Sequence, residues 1–244
     1  MNMSAIVLGV VLVVVGYLLY LYWKSRNLPL VSGTTLNIPN PDITVAASLK
    51  PESSRYTYSV WINANTWDNT TAKPIFSRMA SASPNFATDV PQISLYLDKL
   101  TPTLFVTIAP ATAPAPTAPA IPPIAITDAF PLQKWTHVMV SVDNNYVDMY
   151  LDGKLVKSVK LSYIPMAPAS TTTPILVGKT AGAPVKSDIF LAKFQLWSTP
   201  FSPQEAWNEY MKGNNSSMFG GLMAYSATFS LSKDNTVTNT VTLF

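Results

Sequence analysis

The sequence predicts an all-β protein, an antiparallel β-sandwich or jelly roll with one short helix, preceded by a single N-terminal transmembrane α-helix. Three observations predict it. An apolar segment without charge lies near the N-terminus, short β-type runs separated by turn residues fill most of the remainder, and one capped segment follows them. With 244 residues, the chain has the length of one large domain or two small ones.

Residues 5–23 form the apolar segment and read AIVLGVVLVVVGYLLYLYW. A helix of this length spans about 28 Å, close to the hydrocarbon thickness of a bilayer. We expect an uncleaved anchor in a lipid bilayer, because a signal peptide would have a basic start, a shorter apolar stretch and a small-residue cleavage site. Aromatic and basic side chains at its end predict a membrane interface. They are Tyr20, Tyr22, Trp23, Lys24 and Arg26.

The charges around this segment predict its orientation. No basic residue precedes the segment, whereas two follow it directly, so the positive-inside rule places residues 24–244 on the cytosolic side. The opposite orientation stays open, because the chain contains N-x-[ST] triplets, which are glycosylated only in secreted or lumenal segments. These triplets start at Asn69, Asn214 and Asn215.

Two proline-rich stretches predict irregular extended chain. Residues 27–54 are polar and contain four prolines, which predicts an extended stalk between membrane and domain. Residues 110–123 contain six prolines in fourteen positions, which predicts a polyproline II excursion from the sandwich. This insert is either a passive surface loop or a stiff arm that docks on a neighbouring protein. The candidate partner contacts are Pro110, Pro114, Pro116, Pro119, Pro122 and Pro123.

Short β-type runs bounded by turn residues dominate residues 55–213. In the clearest of them Thr136, Val138, Val140 and Val142 share one face. Hairpin turns are expected at residues 143–145 and at the Asp-Gly pair 152–153. The runs cover residues 56–63, 73–78, 92–98, 103–108, 135–143, 146–152, 154–160, 174–178 and 189–197.

The segment after the last of these runs predicts a helix. Ser202 is the expected N-cap, Pro203 suits the first turn, Glu205 completes an S-x-x-E box and Gly213 ends the helix. Residues 214–244 then contain two further β-like runs. They predict a C-terminal hairpin that either closes the sandwich or lies on a partner.

Composition excludes several classes of site. The chain has no cysteine and one histidine, which excludes zinc ribbons, disulfide frameworks, cysteine nucleophiles and His-rich metal sites. A net charge of +3 with only 12% charged residues gives no single-sign field, so nucleic acid is not an expected partner. Such a charge-poor surface favours cover by neighbouring proteins in a permanent assembly.

Three stretches carry a family resemblance: YTYSVWIN, KWTHVMVSVDNNYVDMYLDGKLVKSV and FLAKFQLWSTPFSPQEAWNEYMKG. Over about residues 44–213 the chain resembles the laminin-G-like branch of the concanavalin A-like lectin/glucanase superfamily. The resemblance implies a laminin-G/concanavalin A-like jelly roll. With the N-terminal anchor and the proline-rich insert, the architecture also resembles minor capsid proteins of large icosahedral DNA viruses with an internal membrane.

The chemistry of the resembled family is not expected here. Its glucanases use two carboxylates on one strand, whereas this chain has three glutamates and no E-x-D-x-E pattern, so we expect no enzyme and no catalytic residue. Asp148 and Asp152 form a poor acid–base pair, and His137 lies inside a strand and is expected to be structural. No cofactor is expected. Calcium stays open, although its candidate ligands form no dense oxygen cluster. Those candidates are Asp89, Asp98, Asp143 and Asn144.

The aromatic residues leave one candidate glycan contact. Trp61 and Trp197 lie in strand patterns and are expected in the core, whereas Trp67 lies in a turn and is the better candidate for an exposed sugar contact.

The sequence therefore predicts a non-enzymatic structural protein, a lectin-like domain that links a bilayer to an overlying protein shell. Its expected location is a virion inner membrane with the β-domain on the cytosolic, capsid-facing side. The alternative is a membrane-anchored glycan-binding or adhesion module that faces outward, for which carbohydrate is the partner.

Overall fold

A computed structural model describes residues 12–17, 29–45, 53–81, 90–112, 121–167, 173–180, 183–214, 228–233 and 236–242. Within these ranges two antiparallel sheets enclose one hydrophobic core, which confirms the predicted β-sandwich. The helix α1 covers Pro203–Met211. The strands are β1 Val31–Thr35, β2 Arg55–Ala64, β3 Lys73–Met79, β4 Pro91–Leu97, β5 Leu104–Ile108, β6 Ile124–Thr127, β7 Thr136–Asp143, β8 Tyr146–Leu151, β9 Lys154–Lys160, β10 Ile175–Val177, β11 Lys179–Thr180, β12 Ala183–Pro184, β13 Ile189–Trp197, β14 Thr228–Lys233 and β15 Thr236–Thr242.

The two sheets have six and five strands. The six-stranded sheet has the order β1-β13-β2-β7-β8-β9, and the five-stranded sheet has the order β10-β3-β4-β5-β6. Alternate residues of each strand point to opposite faces, so the period-2 pattern decides which side chains enter the core. Val138, Val140 and Val142 of β7 lie in the core, as their shared face predicts.

Both predicted hairpin turns are confirmed. β7 and β8 pair across Asp143 and Tyr146, and Asn144 in the turn between them has a φ of 54°. β8 and β9 pair across Leu151 and Lys154, with positive φ at the two turn residues, Asp152 and Gly153. Two consecutive positive φ values are what a type I′ turn requires, so the Asp-Gly pair directs the chain reversal.

The prediction of an extended stalk over residues 27–54 is wrong for residues 31–45. β1 pairs with β13, Leu36 and Val45 are buried in the core, and Ile43 forms a bridge with Ile175. A five-residue edge strand is compatible with flanking prolines, because the missing N–H groups fall outside its hydrogen-bonded ladder. This segment therefore belongs to the sandwich.

The N-terminal region is described only at residues 12–17, which are helical. Among the described residues, no helix combines the length and the apolar character needed to cross a bilayer. The predicted interface residues Tyr20, Tyr22, Trp23, Lys24 and Arg26 lie outside the described residues.

The predicted C-terminal hairpin is confirmed. β14 and β15 pair antiparallel from Thr228–Thr242 to Lys233–Thr236. They form a two-stranded sheet of their own and pair with no other strand in the described ranges.

Candidate functional site on the outer face of the six-stranded sheet

The helix α1 covers part of the outer face of the six-stranded sheet. Its N-cap is built as predicted, because Ser202 accepts a hydrogen bond from the Glu205 backbone and Glu205 bonds back to Ser202. Ala206 of the helix packs with Met139 and Tyr150 of the sheet. We call the polar and aromatic residues under and on the helix the helix-covered patch. They are Ser59, Trp61, His137, Lys193, Glu209 and Tyr210.

A serine–histidine pair lies in the helix-covered patch. Ser59 Oγ is 2.7 Å from His137 Nε2, and both side chains are buried. Burial lowers the pKa of His137 from its ordinary 6.5 to about 4, with Glu209 raising it and Lys193 lowering it to smaller extents. The ring is therefore neutral at pH 7, in keeping with the expected structural histidine.

The geometry of this pair differs from that of an activated nucleophile. A catalytic serine needs a base oriented by a third group and a path for substrate. Asp152 Oδ1 accepts instead from the backbone N–H of His137 at 2.9 Å, and no hydrogen-bond partner for Nδ1 is found among the described residues. Because the helix covers Ser59, the pair holds β2 and β7 together rather than facing a ligand.

A buried ion pair fastens the helix to the sheet. Lys193 Nζ lies 2.7 Å from Glu209 Oε1, and both side chains are almost fully buried. Lys193 also donates to the Gly213 carbonyl at 3.1 Å, and Lys212 Nζ contacts Glu209 Oε2 at 2.7 Å. Lys193 lies at a β-bulge with a φ of 48°, which lets the strand aim this side chain at the helix.

Beside the N-terminus of α1, the same sheet face is open. A groove of about 290 Å³ lies between the β7–β8 hairpin and the segment that leads into the helix. We call it the acidic groove, because three of its lining residues are carboxylates. It is lined by Ser141, Asp143, Tyr146, Asp148, Pro200, Phe201, Ser202 and Glu205.

Two of the three groove carboxylates are already occupied. Asp143 Oδ1 accepts from Arg55 Nε at 2.8 Å, and Glu205 Oε2 accepts from both the backbone N–H and the hydroxyl of Ser202 at 2.7 Å. Hydrogen bonds from Ser202 lower the pKa of Glu205, so this carboxyl is not suited to donate a proton in glycoside cleavage. Among the described residues, no cation lies within 4.0 Å of Asp148.

Aromatic groups flank the free carboxylate in the acidic groove. The Tyr146 side chain is half exposed, and Lys160 Nζ lies 5.5 Å from its ring centroid. Burial raises the pKa of Tyr150 to about 12, with Asp148 and Glu205 adding to the shift, so its hydroxyl stays protonated. The groove therefore offers a ring face and a hydrogen-bond acceptor. No sequence pattern predicts this groove, because its residues come from the β7–β8 hairpin and, more than fifty residues later, from α1 and the segment before it.

Among the described candidate calcium ligands, Asp143 and Asn144 contact each other, whereas Asp98 bonds within its own loop. Asp98 accepts from its own loop at Leu100 and Thr101, and Asp143 accepts from Arg55 and from Asn144 Nδ2. Asp89 lies outside the described residues. In the described part of the chain no three His, Asp or Glu residues form a group that could hold a metal ion.

The tryptophans occupy three different environments. Trp61 is buried, as expected, but it lies under α1 with its ring 5.6 Å from that of Tyr210. Trp197 is half-buried against Phe201. Trp67 is also half-buried, packs against the core, and has Lys73 Nζ 4.2 Å from its ring centroid. Lys73 therefore covers one face of the Trp67 ring. The role of Trp67 as a glycan contact stays a prediction.

The proline-rich insert connects β5 to β6 and is held firmly at its base. Ala109 donates to the Gln92 carbonyl and accepts from Met166, both at 2.8 Å, and Pro110 forms a bridge with Pro165. At its other end Pro122 and Pro123 are exposed. The remaining predicted contacts lie outside the described residues. They are Pro114, Pro116 and Pro119.

A two-sheet antiparallel sandwich with a capped helix on one outer face defines a lectin-like domain. The sequence profile of a laminin-G family in the concanavalin A-like lectin/glucanases superfamily matches residues 36–206, more than half of the chain. The chain belongs to this superfamily, which confirms the family resemblance. A comparison with curated proteins finds no match.

Two solved binding domains share the fold at low sequence identity. The binding domain of botulinum neurotoxin serotype G superposes with a TM-score of 0.51 at 14% identity, covering 74% of this chain and 42% of that one. The binding domain of botulinum neurotoxin DC, in complex with rat synaptotagmin II, gives a TM-score of 0.50 at 13% identity, covering 70% of this chain and 39% of that one. Trypanosoma rangeli sialidase in complex with sialic acid gives a TM-score of 0.46 at 16% identity, covering 65% and 23%. The chain spans less than half the length of each.

Proposed function

We propose that the chain is a non-enzymatic structural protein that tethers a lectin-like domain to a bilayer and docks it on an overlying protein shell. In this proposal the apolar residues 5–23 form the anchor, and residues 110–123 form the arm that contacts the shell. The role is that of a minor capsid protein at a virion inner membrane, with the β-domain on the capsid-facing side.

The base of the proline-rich insert carries the proposal. The Ala111 N–H donates to the Ile164 carbonyl and the Met166 N–H donates to the Ala109 carbonyl, both at 2.8 Å, so the start of the insert is held against residues 164–166. Proline restricts φ to about −65°, so a proline-rich segment loses little conformational entropy when it docks. A stiff segment on a fixed base is suited to a permanent protein contact.

Stiffness of the arm is tested in the particles that incorporate the full chain. The variant Pro114→Ser/Pro116→Ser/Pro119→Ser keeps the arm length but removes three φ restraints, and we expect a several-fold lower yield of assembled particles. The matched control is Pro39→Ser/Pro41→Ser, which changes two exposed prolines outside the arm. Equal particle yield from both variants would remove the docking role of the arm.

The anchor is tested separately by alkaline carbonate extraction of membranes that carry the full chain. In Leu12→Arg/Val15→Arg, each arginine costs about 2.5–3.5 kcal/mol at the centre of a membrane-spanning helix, so extraction should become nearly complete. Leu12→Ile/Val15→Leu is the apolar control and should stay in the membrane pellet. Complete extraction of the unaltered chain would contradict the anchor.

The acidic groove favours a second candidate function, an outward-facing glycan-binding or adhesion module. A half-exposed tyrosine ring beside a free carboxylate suits a sugar, because the ring packs on the apolar sugar face and the carboxylate accepts from its hydroxyls. A glycan array probed with the full chain should then give binding that Tyr146→Ala and Asp148→Asn each weaken about tenfold, the equivalent of about 1.4 kcal/mol. Weakening by Trp67→Ala alone would move the sugar site to the predicted tryptophan.

Topology distinguishes the two candidates. A gel shift of the native protein on enzymatic deglycosylation would place Asn69, Asn214 or Asn215 on the outer side and favour adhesion. If neither the native protein nor a control with an added exposed N-x-[ST] triplet shifts, the domain lies on the cytosolic side, where the membrane-to-shell link belongs.

A further inference from the structure

The C-terminal half of α1 and the neighbouring edge strand β9 expose a group of large apolar side chains. The helix contacts β9, and a Cβ at Gly153 in the β8–β9 turn would lie 3.0 Å from Trp207 Cε3. The exposed fractions of the four apolar side chains lie between 40% and 64%. We call this surface the lysine-rimmed patch. Its apolar centre consists of Leu155, Val156, Trp207 and Met211.

A β-bulge places two consecutive apolar residues of β9 on the helix side of the sheet. Leu155 opposes Tyr150, which packs under α1, so its side chain lies on the outer face. Lys157 opposes Met149 of the core, so Val156 before it also points to the outer face. The extra residue of the bulge therefore enlarges the apolar surface beside the helix.

Lysine side chains surround this apolar centre, and the acids beside them are already paired. Asp152 accepts from Lys134 at 3.1 Å, and Glu209 lies 2.7 Å from both Lys193 and Lys212. With Lys154 included, four lysines face two acids, so this surface carries a net positive charge. The exposed lysines of the rim are Lys134, Lys154 and Lys212.

This combination of side chains is typical of a membrane–water interface. Tryptophan rings lie at the level of the lipid headgroups, and a lysine stem follows apolar surface while its ammonium group reaches the phosphates. Interfaces between proteins are instead depleted in lysine and enriched in arginine. Because every cation of the rim is a lysine, the composition favours a lipid surface over a protein partner.

We propose that the lysine-rimmed patch binds the surface of an anionic bilayer, with Trp207 and Met211 among the headgroups. The exposed apolar side chains enter the boundary between headgroups and acyl chains, and the lysines attract the negative surface. This contact is a second attachment of the domain, beyond the proposed membrane-spanning residues 5–23. It fixes the orientation of the domain, which a flexible connection to the span leaves open.

The length of the connection to the span agrees with such a contact, and this step rests on the proposed anchor. Residues 24–30, between the proposed span and β1, reach at most about 25 Å. β1 pairs with β13, whose Lys193 donates to the Gly213 carbonyl at the end of α1. The bilayer surface therefore lies within reach of the sheet face that carries the patch.

The proline-rich insert lies at the other end of β9. This strand begins beside the patch at Lys154 and ends at Lys160. From there the chain continues to residues 164–166, which hold the start of the insert. The patch and the insert therefore lie at opposite ends of one strand, so that one can face the bilayer while the other contacts the shell.

A single fluorescent label tests the contact in the full chain, because the chain contains no cysteine. Met211→Cys carries a nitrobenzoxadiazole label, and the matched control is Ile164→Cys at the far end of β9, since both side chains are 64% exposed. Each chain is reconstituted into phosphatidylcholine vesicles with about 30% phosphatidylserine and a nitroxide lipid as quencher. We expect quenching at position 211 several-fold stronger than at position 164, and little quenching at either position in vesicles without phosphatidylserine.

Two lysines of the same strand test the role of charge. In the chain labelled at position 211, Lys154→Gln should lower the contact equilibrium about fivefold, whereas Lys160→Gln, at the far end of β9, should leave it unchanged. Equal effects of the two variants, or equal quenching in neutral vesicles, would overturn the assignment to an anionic surface.

Flotation of the same vesicles reports the anchor separately. A chain that floats with its vesicles without selective quenching at position 211 overturns the patch and leaves the anchor intact. A chain that does not float overturns the anchor, whereas selective quenching at position 211 would still support the patch. Absence of this selective quenching overturns the patch in either case.

Discussion

The helix-covered patch and the acidic groove lie on the same outer face of the six-stranded sheet and share the strand β7. In the patch, α1 excludes water, and the charges of Lys193 and Glu209 compensate each other at 2.7 Å. In the groove, water reaches the carboxylates, and Asp148 needs no counter-ion. The nine residues of α1 therefore divide one polar sheet face into two parts. The helix buries one part, where the polar groups stabilise the fold, and solvent reaches the other.

Breaking the buried ion pair is the strongest test of this division. Glu209→Ala leaves Lys193 buried without its counter-charge, so we expect the free energy of unfolding to fall by about 3–5 kcal/mol. Urea denaturation measures the fall. The double variant Lys193→Met/Glu209→Leu removes both charges and should recover most of the loss. A single variant as stable as the unaltered chain would mean that water reaches the pair.

The pH dependence of stability is the next largest effect expected from the patch. The pKa of His137 is about 4 in the fold, against 6.5 for an exposed histidine, so its contribution to stability is complete above pH 6.5. As pH falls from 6.5 to 4, the unfolded chain takes up a proton that the folded chain does not. This difference in proton uptake lowers the free energy of unfolding by about 3 kcal/mol. In His137→Gln, unfolding curves over this window should lose that part of the pH dependence, and an unchanged slope would contradict it.

Two glycines with positive φ test how closely α1 packs on the β8–β9 turn. A Cβ at Gly153 would lie 3.0 Å from both Trp207 Cε3 and Tyr210 Cβ of α1, whereas at Gly213 nothing lies within 4 Å. Gly213→Ala should cost about 1 kcal/mol through backbone strain alone, and Gly153→Ala about 2–3 kcal/mol through strain and overpacking. Urea midpoints of the two variants give the difference, and equal midpoints would mean that α1 does not press on the β8–β9 turn.

The smallest effect is expected in the acidic groove. Asp148→Asn changes a partly exposed side chain without an ionic partner in the described contacts, so stability should change by less than about 0.5 kcal/mol. The same urea measurement checks it. A loss as large as that of Glu209→Ala would show that the groove, too, holds the fold together.

Much of the fold could be predicted, because local patterns carry it. The alternation in β7 places Val138, Val140 and Val142 in the core, and the Asp152-Gly153 pair specifies a tight hairpin with positive φ. The S-x-x-E box specifies the start of α1. The sequence patterns did not predict four strands, β1, β6, β11 and β12. They have two to five residues and lie beside or contain prolines or glycines, which are typical of turns.

Less of the candidate site could be predicted. Tyr146 and Asp148 belong to one strand and Glu205 to a helix more than fifty residues later, so no sequence spacing indicates that they line one groove. Arg78 lies in the run KPIFSR, where an arginine at a strand end is typical of a solvent-exposed position. Its complete burial follows from where the opposite sheet places Tyr58 and from where the loop before β10 places Thr173.

By itself, then, the sequence determined the class of fold, the hairpin turns, the helix cap and the family, because these depend on side-chain period and on the conformational preferences of single residues. Only the tertiary structure decided which polar residues are enclosed. It enclosed Arg78, His137 and the Lys193–Glu209 pair and left Asp148 open. Burial depends on which surfaces meet across the sandwich and under the helix, and this long-range contact changes the free energy of a charge far more than its neighbours in sequence do.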